Sequence, residues 1–225
     1  MKVVAAWSGG KDCCYACYKA IRQGLNVAGL VTFMQSEAFS NFHGIRFDIL
    51  DAQSKAIGVP LTKCVTTPET YERKFKEALL EFKKQGVEGL VTGDIYEVAG
   101  HEKGWLERVC GEVDLEPIRP LWMDDTSKIF REFVAAGFKA TVVRTNLSVL
   151  GEEWLGRELE ARFLADVLAL GNVDPCGEGG EYHTVVTDGP VFSSTIKLVE
   201  TERTSRRGFG RLKISRYELE KKQDT

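Results

Sequence analysis

Two short stretches of this 225-residue chain carry residue types and spacings suited to chemistry. The first is Ser8-Gly9-Gly10-Lys11-Asp12, which follows an apolar run at 3–7 and precedes a helical pattern at 13–23. Two glycines let a backbone approach an anion closely and take up positive φ. The free N–H groups of the first helical turn then point at that anion, aided by a dipole worth about half a charge. Lys11 adds a cation, and Asp12 can hold a metal ion or cap the helix. A bare strand-to-helix turn with a serine cap would account for the same residues less completely. Two other phosphate loops are excluded, because neither Gly-x-x-x-x-Gly-Lys-Ser/Thr nor Gly-x-Gly-x-x-Gly occurs here.

The second stretch is Gly177-Glu178-Gly179-Gly180-Glu181-Tyr182-His183-Thr184. It sets two carboxylates three residues apart among glycines. Alone, it reads equally well as an acidic turn entering a strand. As a site, its carboxylates could orient an amine, take a proton from it, or hold a cationic group. Tyr182 or Trp122 could add a cation–π contact. Gly93-Asp94 follows another apolar run, which places Asp94 at the same sheet edge as the phosphate loop. His43 and His101 also follow strand ends and are candidates for ligand contact.

These residues need elements to hold them. Apolar, mostly β-branched runs without alternation at 3–7, 27–33, 61–65, 89–92 and 140–143 read as strands buried on both faces of a parallel sheet. Helical patterns lie between them, at roughly 13–23, 46–57, 68–85, 101–113 and 126–136, several ending at Gly24, Gly58, Gly86 or Gly137. The result is an α/β fold, a doubly wound parallel sheet of Rossmann-like type. In such sheets ligands sit outside the carboxyl ends of the strands. After about residue 145 the pattern changes to a helix at 154–170 and strands at 191–200 and 211–217, a smaller C-terminal α+β domain. The expected division is 1–145 and 146–225, with a frayed charged tail from 218.

Composition narrows the classes. With 43% hydrophobic and 28% charged residues and a net charge of −3, no broad nucleic-acid or membrane surface is expected. No run reaches the roughly 20 apolar residues of a membrane helix, and the N-terminus reads as a strand rather than a signal peptide. Six irregularly spaced cysteines suit reduced thiols in a cytoplasm. Cys14-x-x-Cys17 has redox spacing, but Cys13, Cys17 and Ala20 share one helical face and read as small packing residues. Arg203, Arg206, Arg207, Arg211, Lys213 and Arg216 cluster around the last hairpin. They form either a solvated turn or a dock for an acidic protein face or RNA.

The loop Ser8-Gly9-Gly10-Lys11-Asp12 resembles that of the PP-loop ATP pyrophosphatases of the HUP type, whose usual motif is Ser-Gly-Gly-x-Asp-Ser, with Cys13 in place of the last serine. Gly93-Asp94-Ile95-Tyr96, Arg108-Val109-Cys110, Pro120-Leu121-Trp122, Gly137-Phe138-Lys139-Ala140, Trp154-Leu155-Gly156-Arg157 and Gly177 through Thr184 follow in the order of the diphthine–ammonia ligase family. Asp174-Pro175-Cys176-Gly177 and His183 are similar to its prokaryotic branch, where the chemistry is expected to carry over while the acceptor can differ. The resemblance implies an ATP-dependent ligase that adenylates a carboxylate, releases pyrophosphate and forms an amide with ammonia. In the family the acceptor is a modified histidine of translation elongation factor two. Implied ATP contacts are Ser8, Gly9, Gly10, Lys11, Asp12, Cys13, Thr32, Phe33, His43, Gly93 and Asp94, with backbone at 31–33 meeting adenine and Mg²⁺ on Asp12. Implied catalytic residues are Lys11, Asp12, Glu178 and Glu181, and implied substrate contacts are Gly179, Gly180, Glu181, Tyr182 and Thr184. A homodimer is compatible with this reading. Its rivals are a PP-loop enzyme acting on another substrate, including tRNA, and a sensor that binds ATP or AMP without turnover.

Overall fold

Alternating strand and helix signals in the first half produce one parallel sheet. The computed structural model describes residues 1–34, 36, 44–97 and 101–222. Its strands are β1 (Lys2–Ala6), β2 (Asn26–Met34), β3 (Leu61–Val65), β4 (Gly89–Val91) and β5 (Glu116–Ile118), in the order β3-β2-β1-β4-β5 with every pair parallel. The helices are α1 (Lys11–Arg22), α2 (Phe47–Ile57), α3 (Tyr71–Lys84), α4 (Trp105–Glu112), α5 (Thr126–Ala135) and α6 (Ala161–Leu170). The order reverses between β1 and β4. Right-handed crossovers therefore put α1 and α2 on the face opposite α3 and α4. This is the doubly wound α/β arrangement expected from the pattern.

Spacing explains how the elements bury themselves. In α3, Phe75, Leu79 and Phe82 recur at the helical period and are buried. They pack with Val4, Val31 and Leu90 of the sheet and with Trp105, Leu106 and Val109 of α4. The stops at Gly24, Gly58, Gly86 and Gly137 have φ of 85°, 76°, 80° and 88°, the left-handed geometry that ends a helix. In α5 the Asp125 side chain caps the helix by accepting from the Lys128 N–H at 2.7 Å.

Three expected elements differ. The run at 140–143 is not a strand of the parallel sheet. It lies in β6 (Lys139–Asn146), which joins β7 (Tyr182–Asp188), β8 (Ser194–Arg206) and β9 (Phe209–Lys221) in an antiparallel sheet ordered β7-β6-β9-β8. A buried apolar run looks the same in either sheet, and the fifth parallel strand is the short Glu-Pro-Ile of β5. The helix expected over 154–170 begins only at Ala161. Before it, Gly156 donates to Val142 O and Leu159 to Ala140 O, both at 2.9 Å, and Val142 donates to Arg157 O at 2.9 Å. That segment is thus held extended along β6. The tail is not frayed from 218, because 218–221 close the β8–β9 ladder.

The chain packs as two units. One is Met1–Ser8, Asp12–Lys55 and Val59–Met123, and the other is Gly9–Lys11, Ala56–Gly58 and Asp124–Thr225. Among the described residues no helix is long and apolar enough to cross a membrane. The core of the first unit yields a stability expectation. Leu79 is fully buried between α4 and the sheet, so Leu79→Ala should cost about 3 kcal/mol in urea denaturation.

Candidate functional site

The first unit gathers one set of the expected residues. Ser8 follows β1, and its hydroxyl donates to Cys13 Sγ at 3.3 Å. Gly93 follows β4 and lies hard against the start of α1. A Cβ there would come within 2.6 Å of Cys13 N and 2.7 Å of the Asp12 carbonyl carbon. The Gly93 backbone can approach the loop only because it has no side chain. Asp94 sits beside this contact. Burial pushes its carboxyl up, the Asp12 carboxylate adds to that, and Thr92 and Arg119 oppose it. The nearby Tyr71 hydroxyl is also pushed up, first by burial and then by Asp94.

Thr32 and Phe33 continue β2 past the end of β1, whose ladder with β2 stops at Ala6 and Val31. The Thr32 side chain is turned inward to Met34 Sδ at 3.9 Å. The Phe33 ring stacks on Phe75 at 4.9 Å and meets Tyr71 edge-on at 5.4 Å. His101 lies in the same aromatic group, 4.2 Å from the Trp105 ring. His43 lies outside the described residues.

The second unit holds the rest. Lys11 is only 5% exposed. Its Nζ donates to the Cys176 carbonyl, and its backbone N–H donates to Thr184 Oγ1 at 3.1 Å. Gly9, with φ 79°, offers its carbonyl to Val186 N–H at 2.9 Å. The backbone at Gly9 and Lys11 is thereby bonded along β7. The Lys11 ammonium also stands 5.6 Å from the centre of the Tyr182 ring. Tyr182 is 2% exposed, and its hydroxyl donates to the Pro175 carbonyl at 2.5 Å. The Tyr182 ring thus faces the chain's own lysine. Trp122 likewise faces its own Arg119, 3.5 Å away.

The two glutamates have different surroundings. Glu178 is exposed, whereas Glu181 is 9% exposed. Glu181 Oε1 accepts from Asp174 N–H at 3.1 Å, and its buried Oε2 has no hydrogen bond among the described residues. Gly179 lies directly over this carboxylate, where a Cβ would fall 2.6 Å from Oε1. Gly180 has φ 78° and completes the turn.

Asp174 organises this loop and is absent from the expected site. Its Oδ1 accepts from Cys176 N–H at 2.7 Å and Glu178 N–H at 3.3 Å, and Thr126 donates to its Oδ2 at 2.8 Å. The sequence signal was the Asp-Pro-x-Gly pattern, whose aspartate bonds to backbone two residues ahead.

The cysteine pair has no redox setting. Cys14 and Cys17 are fully buried free thiols. Burial, then Cys13, pushes Cys14 well up, and the same causes push Cys17 up to about 12. A redox thiol needs the opposite shift. Among the described residues no group of three or more His, Cys, Asp or Glu side chains could enclose a metal.

The family described as "Diphthamide synthase N-terminal domain" matches residues 1–117, and that described as "Diphthamide synthase C-terminal domain" matches residues 125–219. The chain belongs to the diphthamide synthase family. A diphthine–ammonia ligase of Mus musculus is 26% identical to it, over 99% of this chain and 94% of the mouse protein. The Homo sapiens diphthine–ammonia ligase is 26% identical over 90% of this chain and 84% of its own length. The Schizosaccharomyces pombe one is also 26% identical over 90% of this chain, which is 37% of the yeast protein. A solved structure described as a predicted subunit of tRNA methyltransferase from Methanocaldococcus jannaschii shares 16% identity. It has a TM-score of 0.47, with 84% of this chain and 98% of that chain covered.

For this member of the family, the Gly93 contact has a direct consequence. Gly93→Ala cannot be absorbed by a rotamer, because the clash is with backbone. ATP affinity, read by calorimetry, should fall at least about tenfold, with a stability loss of about 2 kcal/mol. Asp94 provides a pH signature. Its folded carboxyl holds a proton to higher pH than the unfolded one. The group thus favours folding at low pH and opposes it once pH rises through the carboxylate range. Asp94→Asn should raise the melting midpoint at neutral pH, with the gain shrinking as pH falls toward about 4.

Proposed function

We propose that the protein is an ATP-dependent ligase that adenylates a carboxylate and amidates it with ammonia. Membership of the diphthamide synthase family supports this, together with relatives that are diphthine–ammonia ligases. The observation that carries the residue assignment is the unbonded Oε2 of Glu181. A buried carboxylate oxygen without a hydrogen bond is costly to keep. A donor from a bound ligand or a water would satisfy it.

In the first step an acceptor carboxylate oxygen bonds to the α-phosphorus of ATP, and the bond to the bridging oxygen of the β-phosphate breaks. Ser8, Gly9, Gly10 and the amides opening α1 receive the phosphates, with Lys11 as the loop's cation. Gly93 lets Asp94 stand beside the loop, and Thr32 and Phe33 offer backbone to adenine. In the second step ammonia attacks the acyl carbon, AMP leaves, and Glu181 takes the proton released by nitrogen. Glu178, at the exposed edge of the loop, is the weaker candidate for that role. Gly179, Gly180, Tyr182 and Thr184 shape the substrate side.

The residues also fit Mg²⁺. The Asp12 carboxylate adds to the cost of ionising Asp94, which a divalent cation would relieve. One or two carboxylates suffice when phosphates supply the remaining oxygens. The ion would neutralise phosphate charge. We further propose the division of labour expected from sequence, ATP contacts within 1–145 and substrate contacts within 146–225. The acceptor implied by the resemblance is translation elongation factor two.

The test is product analysis with ATP, ammonium and candidate carboxylates. AMP and pyrophosphate are expected. Glu181→Gln should slow amide formation by about a hundredfold or more, and Glu178→Gln by much less. Formation of ADP and phosphate would refute the mechanism. Tight ATP binding without any cleavage would favour the sensor reading.

A further inference from the structure

The antiparallel sheet carries a basic face that the chemistry above does not use. Strand register sets His183, Arg144, Arg211 and Thr204 in one row across β7, β6, β9 and β8. The neighbouring row holds Asn146, Phe209 and Arg206. Paired residues project to the same side of a sheet, so Arg144 and Arg211 oppose each other directly. Like charges in that position work against the sheet. The Arg144 guanidinium lies 4.1 Å over the Phe209 ring. Burial, then Arg211, holds it below its ordinary value.

The sequence cluster of six cations now divides. Lys213 pairs with Glu202, and Arg216 with Glu200 and Glu218. Arg203, Arg206, Arg207 and Arg211 are exposed and have no ion pair among the described residues. The β8–β9 turn is Arg207-Gly208, with φ of 53° and 80°. A two-residue turn of this hand favours Asn, Asp or Gly at its first position, and a long side chain there is strained. Strain kept at an exposed tip points to use of that side chain.

We propose that the tip of the β8–β9 hairpin, Arg206, Arg207 and Arg211 beside the Arg144–Phe209 stack, docks an acidic polypeptide segment of the acceptor protein. The proposal depends on the ligase reading only in taking the acceptor carboxylate to be carried on a protein. The face adjoins the candidate substrate loop through β6, since Asn146 N–H donates to Glu181 O at 2.8 Å. Its size favours a short acidic segment over a nucleic acid. The unpaired arginines span residues 203–211 at the tip, about 13 Å of each strand. Towards the base the charges of the same hairpin are balanced, because Lys197 pairs with Glu220, Lys213 with Glu202, and Arg216 with Glu200 and Glu218. A polynucleotide, with a charge every few ångströms, would run from the tip onto a base whose cations are already paired.

Fluorescence anisotropy with a labelled oligoglutamate, and with an oligouridylate of equal charge, tests the proposal. Wild type should bind oligoglutamate better, and added salt should weaken the complex. Arg144→Ala/Arg206→Ala/Arg211→Ala should weaken it about tenfold or more. Arg207→Gly should weaken it several-fold while raising the melting midpoint, because glycine relieves the turn. That second variant keeps the test valid if the triple one folds poorly. Equal binding by wild type and Arg207→Gly, no binding by wild type, or preference for oligouridylate would overturn the dock. AMP formation from ATP by wild type and Arg207→Gly is measured separately. Its absence would refute the ligase reading while leaving the binding result to decide the dock.

Discussion

A lysine ammonium taken out of water must find partners, and at Lys11 that requirement shapes the surrounding structure. Only 5% exposed, it rests on the Cys176 carbonyl and faces the Tyr182 ring, while its own N–H reaches the Thr184 hydroxyl. An unpartnered buried charge would cost far more than one such contact returns. The two hydrogen-bonding partners bracket the turn that carries Glu178 and Glu181. One residue of the phosphate loop therefore holds both ends of the candidate substrate loop. The Gly9 carbonyl extends the same attachment to Val186.

Asp174 completes the hold from within the turn. Its carboxylate takes two backbone N–H groups and the Thr126 hydroxyl, and its own N–H occupies one oxygen of Glu181. The second Glu181 oxygen is left buried and unbonded. Two glutamates three residues apart are equivalent on paper. Folding separates them, because one faces solvent and the other is enclosed beneath Gly179. A similar sorting occurs among the thiols. Three cysteines opening a helix could have been activated by its dipole, yet Cys14 and Cys17 are sealed in the core and held protonated.

Most of the parallel sheet was legible in the sequence. Apolar runs at 3–7, 27–33, 61–65 and 89–92 became strands, and glycine stops marked four helix ends, because burial and backbone chirality act locally. The misplaced elements share a different cause. Residues 140–143 and 154–160 satisfy local patterns that more than one partner could use. Ala140, Val142 and Leu159 are buried either way, and only cross-strand bonding decides that they meet each other. The three-residue β4 and β5 are at the limit of what periodicity can show. Asp174 went unassigned because its importance lies in four hydrogen bonds to residues up to 48 positions away.

The sequence by itself determined the α/β class, the phosphate-suited turn after β1 and the glycine-flanked pair of glutamates. These follow from spacing and local backbone freedom, which are written along the chain. Tertiary structure alone decided that Lys11 turns its ammonium to Cys176, that Glu181 rather than Glu178 is enclosed, and that four of the six hairpin cations stand without an ion pair among the described residues. Each of those depends on solvent exclusion and on partners distant in sequence, and neither is set until the strands have found their neighbours.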